Sequence, residues 1–149
     1  MTPEIKIASI EDLEIILPLV RAFHEFEDFH ITEEQRKNSL TALLSNVELG
    51  GIWLIYANRQ PVGYIALCLG YSIEFAGKDA FIDEFYIRPE FRGKGLGKQT
   101  LEFIKIAAKD LDVRSIHLEV ARTNIKANQL YARANFATRE KYVLMSINL

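Results

Sequence analysis

A glycine-rich, basic turn in the second half of the chain is the segment best suited to bind an anionic ligand. It consists of Arg92, Gly93, Lys94, Gly95, Leu96, Gly97 and Lys98. β-Branched and aromatic residues precede it, as is typical of a strand, and an apolar stripe with helical spacing follows it as far as Leu111. Such a turn leaves backbone N–H groups free at a helix N-terminus, where the helix dipole favours negative charge. The pattern therefore predicts a phosphate-binding site.

Two common phosphate-binding motifs do not fit this turn. The dinucleotide motif G-x-G-x-x-G would require glycine at Lys98, and the nucleotide P-loop would require glycine at Arg92 and Ser or Thr at Gln99. The spacing that does fit is Arg92-x-x-Gly95-x-Gly97. In this respect the chain resembles the GCN5-related N-acetyltransferases (GNAT superfamily). The resemblance implies that residues 92–98 bind the pyrophosphate of acetyl-coenzyme A (acetyl-CoA).

A second segment, residues 124–136, resembles another pattern of the same family, Asn-x-x-Ala-x-x-x-Tyr-x-x-x-Gly-Phe. The resemblance implies that Asn124 contacts the cofactor and that the Tyr131 hydroxyl protonates the departing CoA thiolate. Asn124 is also suited to cap a helix. Asn135 replaces the usual glycine, and we expect it to be tolerated because Asn adopts the left-handed conformation at helix ends. The alternative for Tyr131 is a core aromatic residue whose hydroxyl reaches the surface.

Two adjacent carboxylates, Asp83 and Glu84, lie in the strand that leads to the glycine-rich turn. In the polyamine-acetylating branch of the family this location reads Glu-Asp, and its first residue is the proposed base. Asp83 occupies that position here, whereas Glu84 has the longer reach. Either group, directly or through water, could take the proton of a substrate ammonium group, especially if burial raises its pKa. The alternative is a solvated or ion-paired carboxylate. Adjacent strand residues face opposite sides, so we expect at most one to point into a given cleft.

The same strand is implied to bind the pantetheine arm of acetyl-CoA along Phe85, Tyr86 and Ile87, with Phe85 and Ile87 contributing backbone groups. An extended ligand that carries amides can add to a strand edge much as a peptide does.

Apolar periodicity and turn residues predict the elements that position these residues. Strands are predicted at 4–8, 52–57, 62–71, 81–87, 115–121 and 141–148, and helices at 13–29, 32–46, 96–111 and 125–133. This order predicts an α/β fold with a mixed, mostly antiparallel sheet and flanking helices. It matches the GNAT acyl-CoA N-acyltransferase fold: six to seven strands and about four helices in a single domain over residues 1–149.

Composition limits the classes of function. Hydrophobic content of 49%, one cysteine, and no signal-peptide or membrane-spanning pattern suit a cytoplasmic protein without a disulfide or a membrane partner. The three histidines lack metal-ligand spacing, so we expect no metal. The low pI of about 5.9 and the absence of an aromatic-interleaved basic stripe argue against nucleic-acid binding.

Charge is unevenly distributed along the chain. Residues 1–50 contain ten acidic and four basic side chains, whereas residues 88–149 contain twelve basic and six acidic ones. The basic half surrounds the predicted phosphate site, and the acidic half could face a cationic substrate. Solvated helix faces would also explain these charges.

These features predict an acetyl-CoA-dependent N-acetyltransferase in which a primary amine attacks the thioester directly. A small cationic amine such as a polyamine or a diamine is the favoured acceptor, since the Asp-Glu pair resembles the polyamine-acetylating branch, and amino acids, aminoglycosides and protein N-termini stay open. The alternatives are a catalytically silent acyl-CoA-binding sensor and a protein or peptide N-acetyltransferase. The resemblance also implies that the chain could form a homodimer.

Overall fold

Five strands form one sheet, in which their order follows the chain. The computed structural model describes all residues, Met1–Leu149. The strands are β1 (Glu4–Ile7), β2 (Gly50–Ala57), β3 (Gln60–Ser72), β4 (Gly77–Ile87) and β5 (Ser115–His117). Pairing is antiparallel from β1 to β4 and parallel between β4 and β5. The prediction of a mixed, mostly antiparallel sheet is therefore confirmed.

Four α-helices accompany the sheet, as predicted. They are α1 (Leu13–Glu27), α2 (Glu33–Ser45), α3 (Leu96–Asp110) and α4 (Ile125–Arg133). A reciprocal capping box between Thr32 and Gln35 begins α2. Helix α1 continues through Pro18, which is exposed near its N-terminal end.

Helices α1, α2 and α3 cover the two faces of the sheet. Helices α1 and α2 pack on the face that presents Leu54, Tyr64, Ala66 and Tyr86. The first residue of α3, Leu96, packs on the opposite face against Ile55, Ala57 and Val62. Burial of these apolar side chains holds β4 between the two layers.

The chain divides into two compact units, Met1–Glu119 and Val120–Leu149. The first contains the whole sheet with α1, α2 and α3, and the second contains α4.

The predicted strand at 141–148 is wrong, because no regular element forms there. A strand requires a neighbouring backbone to pair with, and no ladder includes these residues. Their alternating apolar side chains are exposed, among them Tyr142, Val143, Leu144, Met145 and Ile147. The strand predicted at 115–121 is also shorter, since it ends at His117. The sheet therefore has five strands instead of six or seven.

Candidate active site

The glycine-rich turn between β4 and α3 exposes its backbone. Gly93 and Gly95 have φ angles of +73° and +83°, in the left-handed region that favours glycine. A Cβ atom at Gly93 would meet no atom within 4 Å. Gly95 caps α3 without any side-chain hydrogen bond, so no side chain satisfies the first N–H groups of the helix. The turn therefore retains the free donors that a phosphate group requires.

The other residues of this turn differ in exposure. Leu96 is buried in the core, so only its backbone could contact a ligand. Lys94 and Lys98 are exposed, and the Lys94 ammonium group lies 5.3 Å from the centre of the Phe91 ring. Gly97 is partly exposed.

Arg92 contacts the protein itself. Its Nε donates a hydrogen bond of 2.7 Å to the carbonyl oxygen of Ile87, and its guanidinium group lies over the rings of Phe26 and Tyr86. Cation–π contacts hold the side chain there. Arg92 therefore links the end of β4 to α1.

Strand β4 loses its β5 neighbour halfway along its length. The two strands pair only from Asp79 to Phe81, whereas β4 continues to Ile87. The backbone N–H of Arg88, just after β4, donates to the carbonyl oxygen of Val62 in β3. Alternation along the ladder therefore turns the backbone groups of Ile87 and Phe85 to the opposite, unpaired edge. This edge has the backbone groups predicted for an extended ligand. The Tyr86 side chain is buried beneath α1 and α2.

A β-bulge in β4 places Asp83 and Glu84 at one cavity, which lies between α1, α2 and strands β2 to β4. Ala66 pairs with Glu84 and Leu67 with Ile82, so Asp83 is the extra residue of the bulge. Both side chains line the cavity. The expectation that at most one would face a given cleft is therefore wrong, because the bulge interrupts the regular alternation. Asp83 is exposed and makes no hydrogen bond or ion pair.

Glu84 accepts two hydrogen bonds from buried side chains. The Tyr64 hydroxyl donates to Oε1 at 2.8 Å, and His24 Nε2 lies 2.6 Å from Oε2. Arg36 Nε donates to His24 Nδ1 at 3.2 Å, so Nδ1 is an acceptor and Nε2 carries the proton that binds Glu84.

Burial in this environment shifts the pKa values of three side chains that line the cavity. Burial raises the pKa of Glu84 above its ordinary value, although the hydrogen bonds from Tyr64 and His24 oppose the shift. Burial, followed by the charge of Glu84, raises the pKa of Tyr64 well above its ordinary value. Burial also raises the pKa of Cys68 to about 11, so this thiol is protonated at neutral pH. Glu84 is the carboxylate whose environment suits proton transfer.

Arg36 is buried, and its charge is balanced by a neighbouring carboxylate. Its Nη1 pairs with Glu33, which also pairs with Arg21. The hydrogen bond from Arg21 lowers the pKa of Glu33 to about 2, so Glu33 is ionised and holds Arg36 in place.

The cavity itself has a volume of about 450 Å³ and lies between α1, α2 and strands β2 to β4. Pockets of this size accommodate small organic molecules. Its polar residues include His24, Arg36, Tyr64, Asp83 and Glu84, and most of its remaining lining is aliphatic. This cavity is the candidate acceptor site.

Two predicted site residues belong to the second unit. Asn124 Oδ1 accepts a hydrogen bond of 3.2 Å from the backbone N–H of Ala127, which confirms its capping role. The ring of Tyr131, on α4, lies 5.8 Å from that of Phe136.

The end of α4 confirms the role expected of Asn135. This residue has a φ of +72°, and its N–H binds the carbonyl of Ala132. The N–H of Phe136 binds the carbonyl of Tyr131, which completes a Schellman motif.

Sequence reasoning missed His24, Arg36 and Tyr64. His24 follows Leu17 and Val20 on the buried face of α1, so an ionisable side chain on an apolar helix face was the available signal. Tyr64 and Arg36 gave no comparable signal, because their contacts join distant parts of the chain.

None of the α-helices has the length and apolar character needed to span a bilayer. No three His, Cys, Asp or Glu side chains are placed so that they could hold a metal ion.

Comparison with known proteins identifies the family. Residues 15–136 match the model of the acetyltransferase (GNAT) family. The chain is 30% identical over 132 residues to an uncharacterized N-acetyltransferase of Archaeoglobus fulgidus, and the match covers 87% of this chain and 89% of that protein.

Solved structures show the same fold. An integron cassette protein from the mobile metagenome of Cole Harbour Salt Marsh matches with a TM-score of 0.85 and 34% identity, over 96% of this chain and 89% of the other. A protein from Clostridium acetobutylicum, described as a predicted acetyltransferase with acetyl-CoA, matches with a TM-score of 0.79 and 16% identity, over 97% and 96%. The chain belongs to the GNAT family and is an N-acetyltransferase of the GNAT type.

Proposed function

We propose that this protein transfers the acetyl group of acetyl-CoA to a small cationic amine by direct attack of that amine. The observation that carries the proposal is that one strand, β4, connects three features of the candidate site. Its bulge presents two carboxylates to the cavity, its unpaired edge includes Phe85 and Ile87, and its end leads into the turn with free backbone donors. The Clostridium acetobutylicum protein with acetyl-CoA has the same fold and supports this choice of acetyl donor.

Acetyl-CoA would supply the acetyl group as an activated thioester. The backbone of residues 93–98 would hold its pyrophosphate, with Lys94 and Lys98 close in sequence to add positive charge. The unpaired edge at Phe85 and Ile87 would bind its pantetheine arm, and Asn124 would add a further contact.

The acceptor reacts only after it loses its ammonium proton. Asp83 or Glu84 takes this proton, directly or through water. Glu84 is held by Tyr64 and His24, whereas the Asp83 side chain has no hydrogen-bond or ion-pair partner. Tyr131 donates its hydroxyl proton to the CoA sulfur as that atom gains charge.

Release of CoA thiol tests the proposal. Acetyl-CoA binding is first measured by calorimetry, with ATP as the control ligand. Thiol release is then followed with amines, amino acids, aminoglycosides and short peptides. We expect acetyl-CoA to bind and ATP not to bind. We also expect the release of CoA thiol to exceed background when small amines are present. Binding without any release would favour an acyl-CoA-binding sensor, and absence of binding would overturn the proposal. The expected homodimer stays a prediction that light scattering would test.

A further inference from the structure

Charge in the candidate acceptor cavity is confined to one end. The acidic residues of its lining are Asp83 and Glu84, which are adjacent in the chain. The cation Arg36 is already paired with Glu33 and bound to His24. The lining therefore offers one anionic region for an ammonium group.

Aliphatic side chains form the far end of the cavity. Leu49 and Leu69 lie there, and the backbone N–H of Leu69 donates to the carbonyl oxygen of Leu49 at 2.8 Å. Leu43 and Ser39 of α2 also line the cavity. Leu69 follows Ala66, the partner of Glu84, by three residues along β3, which corresponds to about 10 Å. No acidic side chain lines this end.

We infer that the acceptor is an amine with one ammonium group on an apolar body, rather than a polyamine. The inference rests on the proposed function and narrows its substrate class. The ammonium group binds beside Asp83 and Glu84, and the body lies along Leu43, Leu49 and Leu69. A second ammonium group would give up part of its water at this partly exposed, aliphatic end without gaining a carboxylate partner, which is unfavourable.

A matched pair of amines tests this inference. n-Hexylamine and 1,6-diaminohexane have the same carbon chain and differ in the distal ammonium group. We expect kcat/KM for n-hexylamine to be higher by about 3-fold or more, because the distal ammonium group of the diamine gives up part of its water beside apolar side chains without gaining a carboxylate partner. The comparison favours the diamine statistically by about two-fold, since either of its ends can react.

A designed carboxylate should reverse the preference. Leu49 lines the far end and is 47% exposed, so Leu49→Glu supplies a partner for a distal ammonium group with little loss of packing. We expect the ratio of the two kcat/KM values to fall by about 2- to 5-fold in favour of the diamine, as is typical of a partly exposed ion pair. Val47→Glu is the matched control, because Val47 is 83% exposed, lies on the same loop and does not line the cavity. This variant should keep the original ratio.

The remaining outcomes separate the inference from the proposed function. Equal or faster acetylation of 1,6-diaminohexane or spermidine by the unmodified protein would overturn the inference and leave the acetyltransferase proposal intact. Acetylation of peptides, with no acetylation of n-hexylamine or 1,6-diaminohexane, would also overturn the inference that the acceptor is an apolar amine. Absence of acetylation with every acceptor would overturn both.

Discussion

His24 Nε2 on α1 lies 2.6 Å from Glu84 Oε2 on β4, and the two residues are sixty positions apart in the chain. The contact links a helix of one layer to the strand that carries both candidate bases. Arg36 fixes the orientation of the imidazole from its other side. The geometry of the candidate active site thus depends on the packing of α1 and α2 against the sheet.

Replacement of His24 tests this dependence. His24→Leu keeps most of the side-chain volume but leaves Glu84 and Arg36 each without one hydrogen-bond partner. We expect a loss of about 1–3 kcal/mol in the free energy of unfolding, measured by urea denaturation. His30→Leu is the control, because the His30 side chain is 82% exposed and its replacement should change stability by less than about 0.5 kcal/mol. Equal effects of the two substitutions would contradict the role assigned to His24.

The raised pKa of Glu84 predicts how stability depends on pH. Burial favours the protonated form in the folded protein, so the contribution of Glu84 is fully favourable below the unfolded pKa of about 4.5 and decreases as pH rises through the folded pKa. Glu84→Gln cannot ionise and lacks this decrease. We expect the unmodified protein to lose stability relative to Glu84→Gln from about pH 4.5 upward, by about 1.4 kcal/mol for each unit of pKa shift. Denaturation of both proteins between pH 4 and 8 measures the difference. A constant difference across this range would show that the pKa of Glu84 is not raised.

The backbone of the glycine-rich turn is open to a direct test. Gly93→Ala adds a methyl group that meets no protein atom within 4 Å, at a φ of +73°. We expect a stability loss of only about 1 kcal/mol from the left-handed conformation. We expect the Kd for acetyl-CoA, measured by calorimetry, to rise by about 10-fold or more if the pyrophosphate contacts this backbone. Asn58→Ala introduces comparable strain at a φ of +51° in the β2–β3 turn and should leave the Kd unchanged. An unchanged Kd for Gly93→Ala would remove this residue from the binding site.

The hydroxyl of Tyr131 is the proposed acid. Tyr131→Phe should lower kcat by about 10²-fold or more with little change in acetyl-CoA affinity, because the hydroxyl acts on the leaving thiolate. Tyr142→Phe removes an exposed hydroxyl of the same unit and should keep full turnover. Unchanged turnover in Tyr131→Phe would exclude this hydroxyl from the chemistry.

Local signals made much of the fold predictable. Helix α4 was predicted with its observed bounds, because Asn124 caps its start and Asn135 adopts the left-handed conformation after its end. The strand predicted at 141–148 failed because alternation specifies a face but supplies no partner. Local information also missed the bulge at Asp83, since no glycine or proline marks it. The contact of His24 with Glu84 depends on tertiary packing alone.

Because β5 pairs with only part of β4, one edge of β4 affects the tendency of the protein to aggregate. Beyond Phe81, β4 presents unpaired backbone groups, and such edges are templates for association between chains. Arg92 already occupies one of them, the carbonyl oxygen of Ile87. A ligand bound along this edge would satisfy others and would stabilise the folded state by about 2.7 kcal/mol at a free concentration one hundred times its Kd. Resistance to heat and to aggregation should therefore rise together as this edge is filled.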